Sequence, residues 1–132
     1  MEITIKGRKF SKALLDELSK YGTVDKNGMT RMRSDGKLVA AFVLQYKDEE
    51  TLVAHTLKSF QIGAGAIAIR TFIRIADVLK LNLFLEVLPF EIKSSVPRLT
   101  SEQLISLYIR QGFEVVSHNN GKVQMLRKRI GV

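Results

Sequence analysis

The 132-residue chain contains no cysteine. This excludes disulfides, thiolate zinc sites and a cysteine nucleophile. Histidine is scarce as well: His55 and His118 are too few for a histidine-rich metal centre. No long unbroken apolar run is present. The richest stretch, 64–88, is interrupted by Arg70, Arg74, Asp77, Lys80 and Asn82, so it does not read as a bilayer span and no membrane partner is expected. No basic start is followed by an apolar segment, so no signal peptide is read and a cytoplasmic protein is expected. Negative charge is in the minority, 13 Asp and Glu against 21 Lys and Arg, for a formal net charge of +8. A basic surface attracts nucleic acid, anionic lipid or phosphate-rich small molecules, and says nothing about fold.

The remaining composition is that of an ordinary globular domain, 45% hydrophobic and 26% charged. The length suits one domain, 1–132, able to bury a core without staples. Glu2–Lys6 alternates like a short strand. Ser11 is an N-cap candidate ahead of Leu14, Leu15, Leu18 and Tyr21 on one helical face, with Gly22 as the stop. A polar linker, 22–29, leads to a weak strand at Thr30–Arg33, a turn at Ser34–Asp35–Gly36 and a strand at Lys37–Tyr46. Lys47–Glu50 reads as a turn and Thr51–Phe60 as a strand, together an antiparallel meander. A mostly buried helix is expected from Ala66 to Lys80, with a wet stripe at Arg70, Arg74 and Asp77. Leu81–Phe90, nearly all apolar, reads as a strand covered on both faces, and Glu91–Leu99 as a loop holding Pro97. Thr100 and Gln103 form a capping box for a helix that stops at Gly112. Two final strands, Phe113–Val116 and Lys122–Leu126, flank the hairpin signal Asn120–Gly121. This order predicts an α/β (α+β) fold with a mixed sheet and one strand–helix–strand unit.

Phe60–Gln61–Ile62–Gly63–Ala64–Gly65–Ala66 joins a strand to a helix. Glycines let a backbone approach an anion, and the helix N-terminus offers unpaired N–H groups and positive partial charge. The loop is not a dinucleotide fingerprint, because position 68 is Ala and no acidic ribose partner follows. It is not a P-loop, because no Gly-Lys-Ser/Thr follows. Read alone, it is either a pyrophosphate seat or a tight turn that packs a helix on a sheet.

The second motif is Leu107–Tyr108–Ile109–Arg110–Gln111–Gly112–Phe113 at the end of the last long helix. With Gly63 and Gly65 in the loop, the chain resembles the GNAT superfamily of N-acetyltransferases. That family's usual loop is Q/R-x-x-G-x-G/A, and its last helix ends L-Y-x-x-x-G-F. The resemblance spans nearly the whole chain. It implies a mostly antiparallel mixed sheet with splayed central parallel strands, and helices on both faces. It also implies acetyl-CoA (coenzyme A) as cofactor. The pyrophosphate would lie on the amides of Gln61, Ile62, Gly63, Ala64, Gly65 and Ala66, with the thioester near His55–Leu57; Phe60, Leu57, Ser101 and Tyr108 complete the implied cofactor-binding set. Ser101 stands where many members place a pantetheine-bonding Asn. Phe60 replaces the usual Gln or Arg, and Gln61 stands one residue late.

The implied reaction is direct transfer of an acetyl group to an amine, which needs a base for the amine and an acid for the departing thiolate. Tyr108 occupies the family's acid position; it also reads as a core tyrosine. Base candidates are His55, Glu86 and the trio Asp48, Glu49 and Glu50; the trio also reads as a solvated turn, and His55 as a half-buried strand residue. Only one helix is read before the meander, which implies a reduced or open acceptor site. That suits a large acceptor such as a protein terminus or lysine, a homodimer that completes the site, or a domain without catalysis; the amine acceptor itself is left open, small molecule or protein. The competing reading is a non-catalytic module of this fold that uses Arg31 with Arg33, or Arg127 with Lys128 and Arg129, to hold nucleic acid or an acidic protein.

Overall fold

A computed structural model describes residues 2–61, 63–87, 91–92, 100–119 and 122–130, with residues 91, 92 and 119 described by backbone only. The chain starts with a hairpin, β1 (Ile3–Ile5) against β2 (Arg8–Phe10), where one strand is expected from sequence. Its turn puts Lys6 and Gly7 at positive φ, 51° and 78°. The same pair of conformations turns the chain at Asp35 and Gly36, 52° and 77°, where the turn is legible.

Ser11 caps α1 (Lys12–Ser19) by accepting the Leu14 amide at 3.1 Å, and the helix buries Leu14 and Leu18. The linker that follows is structured: β3 (Thr23–Val24) pairs antiparallel with β4 (Thr30–Ser34). Beyond it run β5 (Lys37–Asp48) and β6 (Thr51–Ser59), which pair with each other antiparallel. α2 (Ala64–Leu79) then crosses to β7 (Asn82–Val87), which lies parallel to β6. The two-residue β8 (Glu91–Ile92) also runs parallel to β6. α3 (Ser101–Arg110) leads to β9 (Glu114–Asn119) and β10 (Lys122–Arg127). The sheet order is β3-β4-β5-β6-β7-β10-β9, with β8 beside β6. It is a mixed sheet with one parallel crossover, as the sequence implies.

The core lies between α2 and the sheet. Ala40, Phe42 and Leu44 of β5 point one way and Ala41 and Val43 the other, and all five are buried. Phe72 of α2 meets Phe42 edge-to-face, with centroids 4.6 Å apart. Such a pair adds about 0.5–1.5 kcal/mol beyond its buried area. α2 buries Ala68, Ile69, Phe72, Ile75 and Ala76 at helical spacing and leaves Arg70 and Arg74 exposed. It starts two residues before the expected Ala66.

β7 departs from expectation. Leu83, Leu85 and Val87 are buried, whereas Asn82, Phe84 and Glu86 are half-buried, so one face alone is sealed. The Phe84 ring is capped by a cation, with Lys47 Nζ 5.1 Å from its centroid. The expected tail of this strand at 88–90, most of the 91–99 loop and the Asn120–Gly121 turn lie outside the described residues.

Candidate functional site

Two breaks in backbone pairing meet on β6. β6 and β7 pair from Thr51–Asn82 to Ala54–Leu85 and no further. β8 then takes up Lys58 and Ser59. On this edge His55, Thr56 and Leu57 therefore have no strand partner among the described residues. Among the described residues the expected separation of the two parallel strands begins after Ala54 and Leu85. On the other edge Ala41 pairs with Lys58 but Val43 with His55. Thr56 and Leu57 together oppose Phe42, which is a β-bulge. Thr56 absorbs the extra residue at φ 55°. For a β-branched residue this is strained by about 1–3 kcal/mol, a cost met mostly at functional sites.

His55 is fixed by its neighbours. Gln45 Oε1 accepts the Lys9 amide at 2.9 Å, which turns Gln45 Nε2 toward His55 Nε2 at 2.8 Å. A Gln Nε2 only donates, so His55 Nε2 accepts and the ring proton sits on Nδ1, 2.8 Å from the Thr56 hydroxyl. Burial, reinforced by the nearby Arg8 charge, holds the imidazole below its usual range. It is a neutral ring with both nitrogens engaged.

Glu86 stands across the gap. Its carboxylate lies 3.7 Å from Lys122 Nζ, and its register partner on β10 is Gln124. Tyr108 packs against Phe113, with ring centroids 5.4 Å apart, and is 4% exposed. Burial pushes its phenol up to about 12. The hydroxyl makes no hydrogen bond to a described residue. Ser101 is the exposed first residue of α3, whose cap is made by Thr100 and Gln103. Asp48, Glu49 and Glu50 form the exposed β5–β6 turn, at the far end of β6 from the gap. There Asp48 accepts the Glu50 amide at 2.9 Å, and Glu50 lies 3.7 Å from Arg129.

The glycine loop ends in a bare helix N-terminus. Gly63 is the N-cap at φ 81°, with no side chain capping α2 and no acidic residue in its first turn. A Cβ placed on Gly63 would meet nothing within 4 Å, so the space over the turn is open. Gln61 is exposed, and its carbonyl accepts the Ala64 amide at 3.2 Å and the Ser59 hydroxyl at 3.0 Å. Gly65 and Ala66 lie in the first turn, while Phe60 is tied to the Val39 carbonyl at 3.0 Å. Leu57 is half-buried on the bulge. Ile62 lies outside the described residues.

The basic clusters differ in kind. Arg127 forks onto Asp77, at 2.6 and 3.3 Å, and donates to the Gln111 carbonyl. Arg129 pairs with Glu50. Arg127 and Arg129 therefore tie α2 and the β5–β6 turn to the end of β10, while Lys128 is exposed. Gln45, Arg8 and Thr56 were not singled out by sequence. Gln45 carried a signal, as a polar residue at the end of an apolar strand; the other two depend on the bulge and hairpin. Among the described residues no acidic and histidine cluster could hold a metal, and no helix is long and apolar enough to cross a membrane.

The chain has the GNAT acetyltransferase fold. It is similar to a GNAT family acetyltransferase from Elizabethkingia anophelis, solved with acetyl-CoA bound: 16% identity, TM-score 0.56, covering 89% of this chain and 83% of that one. It is similar to an IAA acetyltransferase from Bacillus cereus, at 14% identity and TM-score 0.56, covering 96% of both chains. It is also similar to Ard1 from Thermoplasma volcanium, at 14% identity and TM-score 0.54, covering 89% of this chain and 79% of that one. The sequence matches no protein-family model and no curated protein.

Proposed function

We propose that the protein is an N-acetyltransferase that uses acetyl-CoA and a primary amine. The observation that carries this reading is the β6 edge at His55–Leu57, which has no strand partner among the described residues and is set on the strand that leads into the uncapped N-terminus of α2. The open space over Gly63 and the first-turn amides of Gly65 and Ala66 suit a pyrophosphate. The backbone groups of His55, Thr56 and Leu57, turned by the bulge, suit the amide-rich arm and thioester. The pairing of β8 with Lys58 and Ser59 lies between loop and gap, and is the part of the edge that must open for one ligand to span both.

Bound acetyl-CoA supplies an acetyl thioester whose sulfur leaves as a thiol. Tyr108 holds its Oη proton through the neutral range and is the donor for that sulfur. His55 orients the bulge through Thr56; with its Nε2 already accepting from Gln45, it takes an amine proton only if that bond is exchanged. Glu86, across the gap, is the carboxylate available to take the proton through water. The reaction needs no metal in this scheme. The experiment is thiol release: purified protein, acetyl-CoA and a panel of amines. Faster release with an amine than without, and acetylated amine by mass spectrometry, support the reading. Folded protein that releases no thiol with any amine contradicts it.

A further inference from the structure

On the β4 side of the sheet, two strands from β6, lies a cleft of about 440 Å³, lined by Lys6, Arg8, Asp25, Asn27, Met29 and Arg31. The β1–β2 turn forms one wall, and the 25–31 segment the other. β2 is held against the site by the Lys9 amide, which reaches Gln45 and through it His55. The register continues the same surface: Arg31 pairs with Ala41, which pairs with Lys58, and Val43 pairs with His55. Paired residues share a face, so Arg31, Lys58 and His55 lie on one side of the sheet.

The cleft is lopsided in charge. It has three cations and one carboxylate. Asp25 is spent: it accepts the Asn27 amide at 2.8 Å, the Met29 amide at 3.1 Å and Arg31 Nε at 3.2 Å. It is therefore no seat for a substrate ammonium. Arg8 uses Nη1 on the Asn27 carbonyl, at 2.5 Å, and Lys6 has no ion-pair partner among the described residues.

We infer that the acceptor is a primary amine that also bears a carboxylate, with the carboxylate held by Arg8 and Lys6 in this cleft and the amine reaching the β6 edge at His55. The inference rests on the acetyltransferase reading above. Two physical effects favour it. Arginine and lysine donate charge-assisted hydrogen bonds that a carboxylate satisfies and an ammonium cannot. The same positive field disfavours the ammonium form, so a bound amine loses its proton more readily and becomes the nucleophile the transfer needs. The direction of the His55 shift, set first by burial and then by the Arg8 charge, agrees with such a field.

The test compares a peptide with an N-terminal Glu, its Gln counterpart, a Lys counterpart, free glutamate and a phosphate-bearing amine. With acetyl-CoA, kcat/KM is expected to be at least about tenfold higher for the Glu peptide or free glutamate than for the Gln peptide, and lower still for Lys. The peptide against free glutamate tells which source the cleft takes. Arg8→Gln and Lys6→Gln should each raise KM for the acidic acceptor and leave acetyl-CoA affinity within about twofold. Lys6 is exposed, so its variant folds if the wild type does. Equal kcat/KM across the peptides, preference for the Lys or phosphate acceptor, or a preference that survives in both variants overturns the inference. A separate titration without acetyl-CoA, read by amide shifts, tests the cleft alone. If acetyl-CoA does not bind but glutamate shifts residues 6–8 and 25–31, the enzyme reading fails and the carboxylate site stands. If glutamate shifts nothing there, the carboxylate site fails.

Discussion

His55 and Glu86 are the first residues past the last β6–β7 pair, Ala54–Leu85, and they share one face of the sheet on opposite sides of the gap. Continued pairing would have made them neighbours in register. The neutral imidazole and the carboxylate thus flank a stretch of β6 with no strand partner among the described residues, which is where the proposed transfer would occur.

The Tyr108 assignment is tested by Tyr108→Phe. The hydroxyl makes no hydrogen bond to a described residue, so its removal should leave the fold and acetyl-CoA affinity nearly unchanged. A general acid contributes about 10²–10⁴-fold, and kcat should fall by that order. Unchanged kcat takes Tyr108 out of the mechanism. Because burial pushes the phenol up to about 12, no loss of activity below pH 10 should trace to it.

Gly63 separates backbone strain from steric access. At φ 81°, any side chain costs about 1–2 kcal/mol. Its Cβ would meet no protein atom within 4 Å, so Gly63→Ala should lower the melting temperature slightly and Gly63→Val more. Acetyl-CoA affinity should fall in both, and most in the valine variant, because the side chain projects into the ligand's space. Wild-type affinity in the valine variant refutes the pyrophosphate placement.

His55 makes stability depend on pH. Burial and Arg8 depress its folded value below the ordinary 6.5, so the unfolded chain binds the proton more readily. Its stabilising contribution is complete above pH 6.5 and is lost as pH falls toward the depressed folded value. Denaturant midpoints between pH 7.5 and 5 should drop more for wild type than for His55→Gln. Parallel curves contradict the assignment.

Much of this was legible in sequence because the signals were local. Ser11, the Thr100–Gln103 box and the Ser34–Gly36 turn each act within a few residues, and each was found where expected. Of the candidate site, the strand-to-helix turn at Gly63 and Gly65 was legible in the same local way. What escaped depends on pairing between distant segments. Lys6–Gly7 turns a hairpin without the Asn or Asp that usually marks one. The Thr56 bulge exists only because β5 and β6 slip in register, and neither strand shows it alone. The one-sided burial of β7 follows from the gap and from Lys47 over Phe84, contacts across 37 residues of chain that no periodicity encodes. The Arg127–Asp77 fork likewise turned an apparent free basic cluster into a structural tie.

The Phe42–Phe72 contact sets the seat of α2, and hence of the glycine loop. Phe72→Ala should cost about 3–5 kcal/mol, read as a lower denaturant midpoint. Phe72→Leu should cost far less and keep acetyl-CoA binding. Loss of binding in a well-folded leucine variant would show that the loop depends on the ring itself.

The most direct test of the central claim is calorimetric titration of the purified, folded chain with acetyl-CoA at low and moderate salt. The predicted result is roughly one molecule bound per chain, with a dissociation constant on the order of 1–100 μM that weakens only modestly with salt. No heat of binding at either salt concentration, in protein shown to be folded by circular dichroism, contradicts the acetyltransferase reading.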